Sequence, residues 1–212
     1  DAGFVLTIDL ENFFPTISFS RVISIFRGLG YSGQVSTSLA KLCCLDNVLP
    51  QGAPTSPSLS NIVCKRLDEK LERFAIESGL RYTRYVDDMC FSGGEIKKHT
   101  LDEIEKIVSS EGFRTNKSKT HLHAPRSNLK LVTGVNVALG KMSLPKSYKR
   151  AISTDLFHIE KYGLRSHLAK RKIRDPNYIE ALVGKVGYWL FIEPENKRAQ
   201  HYKQVLAQFV NI

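Results

Sequence analysis

Apolar positions along the chain follow two spacings, one typical of strands and the other typical of helices. Residues 4–10 form a short apolar run, which indicates a buried strand. Apolar residues then recur every three or four positions over 20–29 and 35–45, which predicts two helices. A third segment of this kind follows Ser56–Pro57, a pair suited to a helix N-cap and first turn, and it ends before Gly79.

A two-stranded hairpin is predicted over residues 81–93, where aromatic and β-branched residues dominate. Asp87 and Asp88 lie side by side at its predicted turn, although aspartate is a poor strand former. Adjacent carboxylates repel each other, and burying either one unpaired costs free energy. Asp9 interrupts the apolar first strand in the same way, so a compensating cation is the hypothesis to test.

The rest of the pattern completes a recognisable order of elements. A capping box at Thr100–Glu103 predicts the start of a helix, residues 113–119 and 130–137 look extended, and the chain beyond Pro145 is helical and basic. The order strand, helices, hairpin, helix, strand is that of a split βαβ, ferredoxin-like α+β fold, in which helices back an antiparallel sheet. In that topology the first strand lies beside the hairpin, so the three aspartates are expected to converge.

Charge and composition narrow the class of partner. The chain carries 31 Lys and Arg against 21 Asp and Glu, a net charge of +10, which favours nucleic acid over a merely basic surface. No apolar run reaches the roughly 18 residues of a membrane span, so no membrane partner is expected. The four cysteines lack C-x-x-C spacing, which indicates neither a zinc site nor disulfides and favours a reducing, cytoplasmic location.

Three convergent carboxylates would form a ligand set for Mg²⁺ or Mn²⁺, which prefer hard oxygen ligands. Two such ions about 4 Å apart can activate an attacking 3′-hydroxyl and stabilise the leaving pyrophosphate oxygen of an in-line displacement. For any one of the aspartates alone, a surface turn or a hydrogen-bonded structural role is the simpler interpretation.

Four motifs, in order along the chain, resemble those of reverse transcriptases. Residues 85–88, YVDD, resemble the Y-x-D-D box, and residues 9–17, DLENFFPTI, resemble the first catalytic motif of that family. Residues 49–61, LPQGAPTSPSLSN, and 132–134, VTG, resemble motifs of the bacterial retron enzymes. The chain is thereby identified as similar to a retron-type reverse transcriptase over nearly its whole length.

The resemblance implies a division of the chain into functional regions. A polymerase palm would comprise residues 1–17 and 52–143, a connection between fingers and palm 18–51, and a basic helical thumb 144–212. The fingers of the family lie ahead of the first catalytic motif and clamp the triphosphate. Because the chain opens directly into a strand, we expect a preceding portion to be missing and primer extension by these residues alone to be weak or absent.

The resemblance also implies roles for individual residues in catalysis. Asp9, Asp87 and Asp88, assisted by the Leu10 carbonyl, would hold two Mg²⁺ ions, for which Mn²⁺ could substitute. Phe14 matches the aromatic residue under the sugar of the incoming nucleotide, where its ring would clash with a 2′-hydroxyl and select deoxynucleotides. Simple core packing is the alternative for Phe14.

Two further groups are implied around the triphosphate. Gln51 and Gly52 match the loop that contacts the incoming nucleotide, and a purely structural loop is the alternative. Lys119 is the preferred candidate for neutralising or protonating the departing pyrophosphate. Lys117 is as well placed by sequence, and a solvated basic strand is a third possibility.

The implied partners are a structured noncoding RNA that serves as template and primer, an RNA–DNA duplex, deoxynucleoside triphosphates and an effector or toxin protein. The product would be RNA-linked single-stranded DNA for antiphage defence. Another bacterial reverse transcriptase, of the group II intron, diversity-generating or antiphage type, and a non-catalytic RNA-binding fold are the alternatives. The residues expected to contact primer, template or duplex are Val132, Thr133, Gly134, Lys146, Lys149, Arg150, Lys170, Arg171, Lys172 and Arg174.

Overall fold

The computed structural model describes residues 3–209, and of Lys98 and Leu139 it describes the backbone alone. The outermost residues of the predicted palm and thumb, 1–2 and 210–212, lie outside the described residues. Within the described range, no helix is long and apolar enough to cross a membrane.

The chain divides into two compact units, and the division falls between Ser127 and Asn128. The functional boundary predicted at residue 144 concerns roles rather than compactness, and it stays a prediction. The first unit contains the three aspartates, and the second contains the basic helical segment.

A four-stranded antiparallel sheet forms the base of the first unit. Its strands are β1 (Phe4–Leu10), β2 (Leu80–Tyr85), β3 (Asp88–Gly93) and β4 (Thr115–His123). They lie in the order β2-β3-β1-β4, and each neighbouring pair is antiparallel. The predicted mixture of an antiparallel sheet with helices is therefore confirmed.

Six helices accompany this sheet in the described part of the unit, residues 3–127. They are α1 (Phe13–Thr16), α2 (Phe19–Gly28), α3 (Gly33–Cys43), α4 (Ser56–Val63), α5 (Lys65–Glu77) and α6 (Lys98–Ser110). On α5, Leu67 and Leu71 are buried in one cluster with Met89 and Phe91 of β3. The three-and-four spacing of the helix and the alternation of the strand thus point their apolar side chains into one core.

Three predictions about helix boundaries were wrong. The single helix predicted after Ser56 is two helices, because Cys64, with ψ near −2°, is both the C-cap of α4 and the N-cap of α5. Thr55 rather than Ser56 is the N-cap of α4, since the Ser56 hydroxyl donates to the Pro50 carbonyl instead. Thr100 starts no helix, because α6 has already begun at its N-cap Lys97.

Over residues 128–209, the second unit consists of a small hairpin followed by four helices. The hairpin pairs β5 (Leu131–Val132) with β6 (Val135–Asn136), within the segment 130–137 that was predicted to be extended. A 3₁₀ turn over Ala138–Gly140 follows. The helices are α7 (Lys146–Tyr162), α8 (Leu164–Arg171), α9 (Tyr178–Ile192) and α10 (Lys197–Ala207), and their buried faces include Leu156, Trp189 and Leu206.

Candidate active site

The end of β1 and the loop between β2 and β3 are held together by backbone pairing. Asp9 lies directly opposite Asp88 in the β1–β3 register. The Leu10 amide donates to the Asp87 carbonyl at 3.0 Å. Val86 and Asp87 form the two-residue loop, so Asp88 is the first residue of β3 and not, as predicted, part of the turn. The ladder places all three aspartates at one end of the sheet.

The three carboxylates act on one another electrostatically. Partial burial and then the charges of Asp87 and Asp9 raise the pKa of Asp88 above its usual value, while Lys119 opposes the shift. The raised pKa means that the fold disfavours a third negative charge at this position. A cation bound among the carboxylates would remove that penalty.

Lys119 is the lysine that reaches this cluster. Its ammonium group lies 3.1 Å from an Asp9 carboxylate oxygen, although the side chain is mostly exposed to solvent. That hydrogen bond, and then the charges of Asp9, Asp87 and Asp88, raise the pKa of Lys119. The ammonium group therefore stays protonated at neutral pH.

A bulge in β4 distinguishes Lys119, the candidate preferred from the sequence, from Lys117, which is as well placed by sequence alone. The β1–β4 register passes from the pair Thr7–His121 to the pair Asp9–Asn116, so β4 contains extra residues between them. The Asn116 side chain accepts hydrogen bonds from the Ser118 amide and hydroxyl inside the bulge. The irregular backbone brings Lys119 to Asp9.

The side chains of the three aspartates are not arranged as a complete coordination site for a metal ion. Among residues 3–209, no group of three or more His, Cys, Asp or Glu side chains is arranged to hold a metal ion. One oxygen of Asp9 is bound to Lys119 instead. The backbone nevertheless brings three hard oxygen donors to one place, which is the chemistry that Mg²⁺ and Mn²⁺ require.

The loop that carries Asp87 is strained. Val86 has φ near +57°, a left-handed conformation that a β-branched residue adopts only at a cost on the order of 1–3 kcal/mol. The Arg84 guanidinium donates to the Val86 carbonyl at 2.7 Å. Sequence reasoning missed Arg84; the available signal was a charged residue inside a strand predicted to be half buried.

Phe14 lies immediately beyond the end of β1, in α1. Asn12, with φ near +47°, turns the chain from the strand into this short helix. Phe13 is buried in the core, whereas Phe14 is only partly buried against it, with the two ring centroids 5.3 Å apart. The ring of Phe14 therefore keeps an exposed surface, and its role at the nucleotide sugar stays a prediction.

The loop of Gln51 and Gly52 is anchored at both ends. The Leu49 amide donates to the Ile17 carbonyl at 3.1 Å, and the buried Ser56 hydroxyl donates to the Pro50 carbonyl at 2.7 Å. Between these anchors Gln51 and Gly52 are exposed. Gly52 has φ near +92°, and a Cβ there would meet no atom within 4 Å, so the backbone angle rather than crowding demands glycine.

Val132, Thr133 and Gly134 belong to the β5–β6 hairpin of the second unit. Thr133 and Gly134 are the two residues of its tight turn, and both have positive φ, +46° and +82°. That pair of angles is characteristic of a type I′ hairpin turn. Both turn residues are exposed to solvent.

Two of the basic residues predicted to contact the duplex form ion pairs with acidic residues of the second unit. Lys149 forms an ion pair with Glu193 at 2.8 Å, and Arg171 forms one with Asp155 at 2.7 Å. The remaining predicted residues are exposed: Lys146, Arg150, Lys170, Lys172 and Arg174.

A groove of about 690 Å³ runs along α7 in this unit. Its described lining contains no acidic residue and includes Arg198 of α10, which sequence reasoning missed. Its lining residues are Lys146, Lys149, Arg150, Ser153, Thr154, Phe157, Trp189, Asn196, Arg198 and Tyr202. Such a surface is complementary to an anion.

Comparison with known proteins gives concordant matches. The family model described as reverse transcriptase (RNA-dependent DNA polymerase) matches residues 2–174. Retron Ec86 reverse transcriptase of Escherichia coli is 41% identical, over 74% of this chain and 50% of that protein. Two Myxococcus xanthus proteins, retron Mx65 and retron Mx162 reverse transcriptases, are 37% and 27% identical, over 63% and 93% of this chain. The chain covers 36% and 46% of those two, so it spans half or less of each relative.

Proposed function

The chain belongs to the reverse transcriptase family, and from that premise we propose that it carries the polymerase site of a retron-type enzyme. The resemblance to retron enzymes expected from the sequence motifs is confirmed by these relatives. The proposed reaction is the addition of deoxynucleotides to a primer on an RNA template, with pyrophosphate as the leaving group.

The observation that carries this proposal is the pairing of Asp9 with Asp88 beside the Asp87 loop. Asp9, Asp87 and Asp88 would hold two Mg²⁺ ions, with the Leu10 carbonyl as a further oxygen donor. When bound, the ions would activate the 3′-hydroxyl and stabilise the leaving oxygen. The electrostatic penalty on Asp88 supports a cation at this position.

The strand order supports the finer description of the first unit as a ferredoxin-like polymerase palm. The first, second, third and fourth strands lie in the order 2-3-1-4, with helices between the first and second and between the third and fourth. In a split βαβ arrangement of this kind the hairpin is inserted beside the first strand. The proposed site lies where those central strands meet.

Residues around the carboxylates would position the nucleotide. The partly exposed ring of Phe14 would exclude a 2′-hydroxyl, and the anchored loop of Gln51 and Gly52 would contact the triphosphate. Lys119, held protonated beside Asp9, would neutralise the charge that develops on pyrophosphate or donate its proton there.

The second unit would bind nucleic acid. The exposed lysines and arginines and the basic groove along α7 would make sequence-independent phosphate contacts with an RNA–DNA duplex. The Val132–Gly134 hairpin would contact the primer. The structured RNA, the effector or toxin protein and the antiphage role rest on the retron resemblance alone.

A thermal shift experiment tests the metal site without requiring primer extension. Saturating Mg²⁺ with a deoxynucleoside triphosphate should raise the melting temperature of the parent chain on the order of 5 °C, because a ligand that binds only the folded state stabilises it. The variant Asp87→Asn/Asp88→Asn should show little of this shift.

A matched control removes two exposed carboxylates from α5 and α6. In Glu69→Gln/Asp102→Asn the total charge changes equally, so the full ligand-induced shift should persist. Equal shifts in the parent and in Asp87→Asn/Asp88→Asn would disprove the metal site.

A further inference from the structure

Arg84 is a buried cation whose guanidinium group joins three separate elements. Its side chain is only 5% exposed. It donates to both oxygens of Asp68 on α5, at 2.8 and 2.6 Å, and to the Asn61 amide oxygen on α4 at 3.3 Å. Its remaining hydrogen bond goes to the Val86 carbonyl in the loop that carries the aspartates, at 2.7 Å.

The ion pair between Arg84 and Asp68 holds the guanidinium group in one orientation. Burial disfavours the charge of Arg84, but the hydrogen bonds to Asp68, together with the charge of Asp68 and neighbouring groups, outweigh this effect and hold the pKa of Arg84 above its usual value. The Tyr82 hydroxyl donates to the same Asp68 carboxylate at 2.8 Å. Two-point pairing between a guanidinium and a carboxylate fixes the orientation of the guanidinium plane.

The loop between β2 and β3 is consequently fixed by hydrogen bonds to the backbone carbonyls of both its residues, Val86 and Asp87. Arg84 binds the Val86 carbonyl, and the Leu10 amide binds the Asp87 carbonyl. Val86 is in a left-handed conformation, and such strained residues persist only where their surroundings over-determine them. These contacts to the loop leave the carboxylates of Asp87 and Asp88 free for other partners.

We propose that Arg84 is a positioning residue of the metal site: by binding the Val86 carbonyl it holds the loop that directs the Asp87 and Asp88 carboxylates toward the cations. The inference rests on the proposed function, since it assumes that these carboxylates bind divalent metal. In this role Arg84 would act through the loop backbone and would not itself contact the metal or the substrate. Groups in this supporting role typically change metal affinity about 10- to 100-fold when they are removed.

Arg84→Lys is the informative substitution. A lysine keeps the positive charge beside Asp68, but its single ammonium group lacks the planar fork that reaches Asp68 and Val86 together. We expect the apparent dissociation constant for Mn²⁺, measured by electron paramagnetic resonance titration of the chain, to rise about 10-fold.

Two control variants separate positioning from general stability. Tyr82→Phe removes a hydrogen bond to Asp68 but leaves the contact between Arg84 and the loop. Glu111→Gln removes the partly buried ion pairs with Arg66 and Lys70 in the same unit. Both should bind Mn²⁺ within twofold of the parent, provided that circular dichroism shows them folded.

The Leu10 amide gives a second readout that needs no metal. Because this amide donates to the Asp87 carbonyl, its hydrogen exchange measured by NMR reports whether the loop is in place. Exchange should be at least 10-fold faster in Arg84→Lys and unchanged in Tyr82→Phe. If Arg84→Lys does not fold, Asp68→Asn, which weakens the two-point pairing, should change both readouts in the same direction.

The outcomes are distinct. Weaker Mn²⁺ binding with faster Leu10 exchange in Arg84→Lys, and in neither Tyr82→Phe nor Glu111→Gln, supports the proposal. Unchanged exchange and affinity in folded Arg84→Lys, or equal losses in Glu111→Gln, overturn it. If the parent itself binds no Mn²⁺, the proposed metal site fails, and with it the role toward metal. Leu10 exchange would then still decide whether Arg84 holds the loop.

Discussion

Left-handed backbone conformations at single residues shape two loops that we propose to act on substrate. Val86 precedes the aspartates of the proposed metal site, and Thr133 lies in the turn of the β5–β6 hairpin. Both are β-branched, so each carries a backbone strain that glycine or asparagine would largely avoid. The strain at Val86 coincides with a network of hydrogen bonds around the loop, whereas the Thr133 side chain is exposed.

Thr133→Asn should therefore stabilise the second unit by about 1 kcal/mol, because Asn-Gly is a preferred type I′ turn. Urea unfolding followed by the fluorescence of Trp189, the single tryptophan of the chain, measures this change. Gly134→Ala should have the opposite sign, since φ near +82° strains any residue with a Cβ. A Thr133→Asn variant no more stable than the parent would contradict the strain assigned to Thr133.

At the scale of elements, the Glu193 carboxylate connects α9 to α7 within the second unit. As the C-cap of α9, it accepts hydrogen bonds from the Leu144 amide ahead of α7 and from Lys149 on α7. Trp189 and Asn196 donate to its second oxygen. Burial alone would raise its pKa, but these hydrogen bonds outweigh burial and hold the pKa of Glu193 below its usual value.

This lowered pKa predicts how stability changes with pH. The contribution of Glu193 is fully present above its ordinary value of 4.5 and is lost as the pH falls through the lower folded value. Glu193→Gln should cost about 1–3 kcal/mol at pH 7, and the difference from the parent should shrink in acid. Urea unfolding by Trp189 fluorescence at several pH values measures both effects.

The exposed neighbour Glu195 provides the matched control for that experiment. Glu195→Gln removes the same charge from the same loop without breaking the connection to α7. Its free energy of unfolding should stay within about 0.5 kcal/mol of the parent at every pH. A Glu193→Gln deficit that does not change with pH would rule out linkage to this carboxylate.

Among the elements of the fold, strands and helices with a clear apolar pattern were predictable from the sequence, whereas breaks and bulges within them were not. The first strand was predicted at residues 4–10 and is Phe4–Leu10, because its apolar run is local information. The break at Cys64 and the bulge of β4 were not predicted, since both depend on packing between segments far apart in sequence. The same limitation meant that Lys119 could be preferred to Lys117 but not distinguished from it by position until β4 was placed against Asp9.

On the scale of the whole molecule, the net charge of +10 should make nucleic-acid binding depend strongly on salt. The logarithm of the association constant for an RNA–DNA hybrid duplex should fall linearly with the logarithm of salt concentration. Arg150→Gln, at an exposed position on the basic groove, should reduce the slope by about 0.7–0.9, the contribution of one phosphate contact.

Lys149→Gln is the comparison for this measurement, because Lys149 lines the same groove but is paired with Glu193. Its charge is already compensated, so the slope should change by less than it does in Arg150→Gln. Fluorescence anisotropy between 50 and 300 mM salt distinguishes the two variants. A slope unchanged in Arg150→Gln would remove the groove from the proposed duplex surface.

The sequence by itself indicated the family, most of the order of strands and helices, and the three candidate aspartates, because motifs and apolar periodicity are written in local residue order. Only the tertiary structure decided that Asp9 faces Asp88, that Lys119 reaches Asp9, and that Lys149 is paired internally. The hydrogen bond from the buried Arg84 guanidinium to the Val86 carbonyl was likewise visible only in the folded chain. Each of these contacts depends on the register, the bulges and the packing of distant segments, which residue order constrains only through the folded chain.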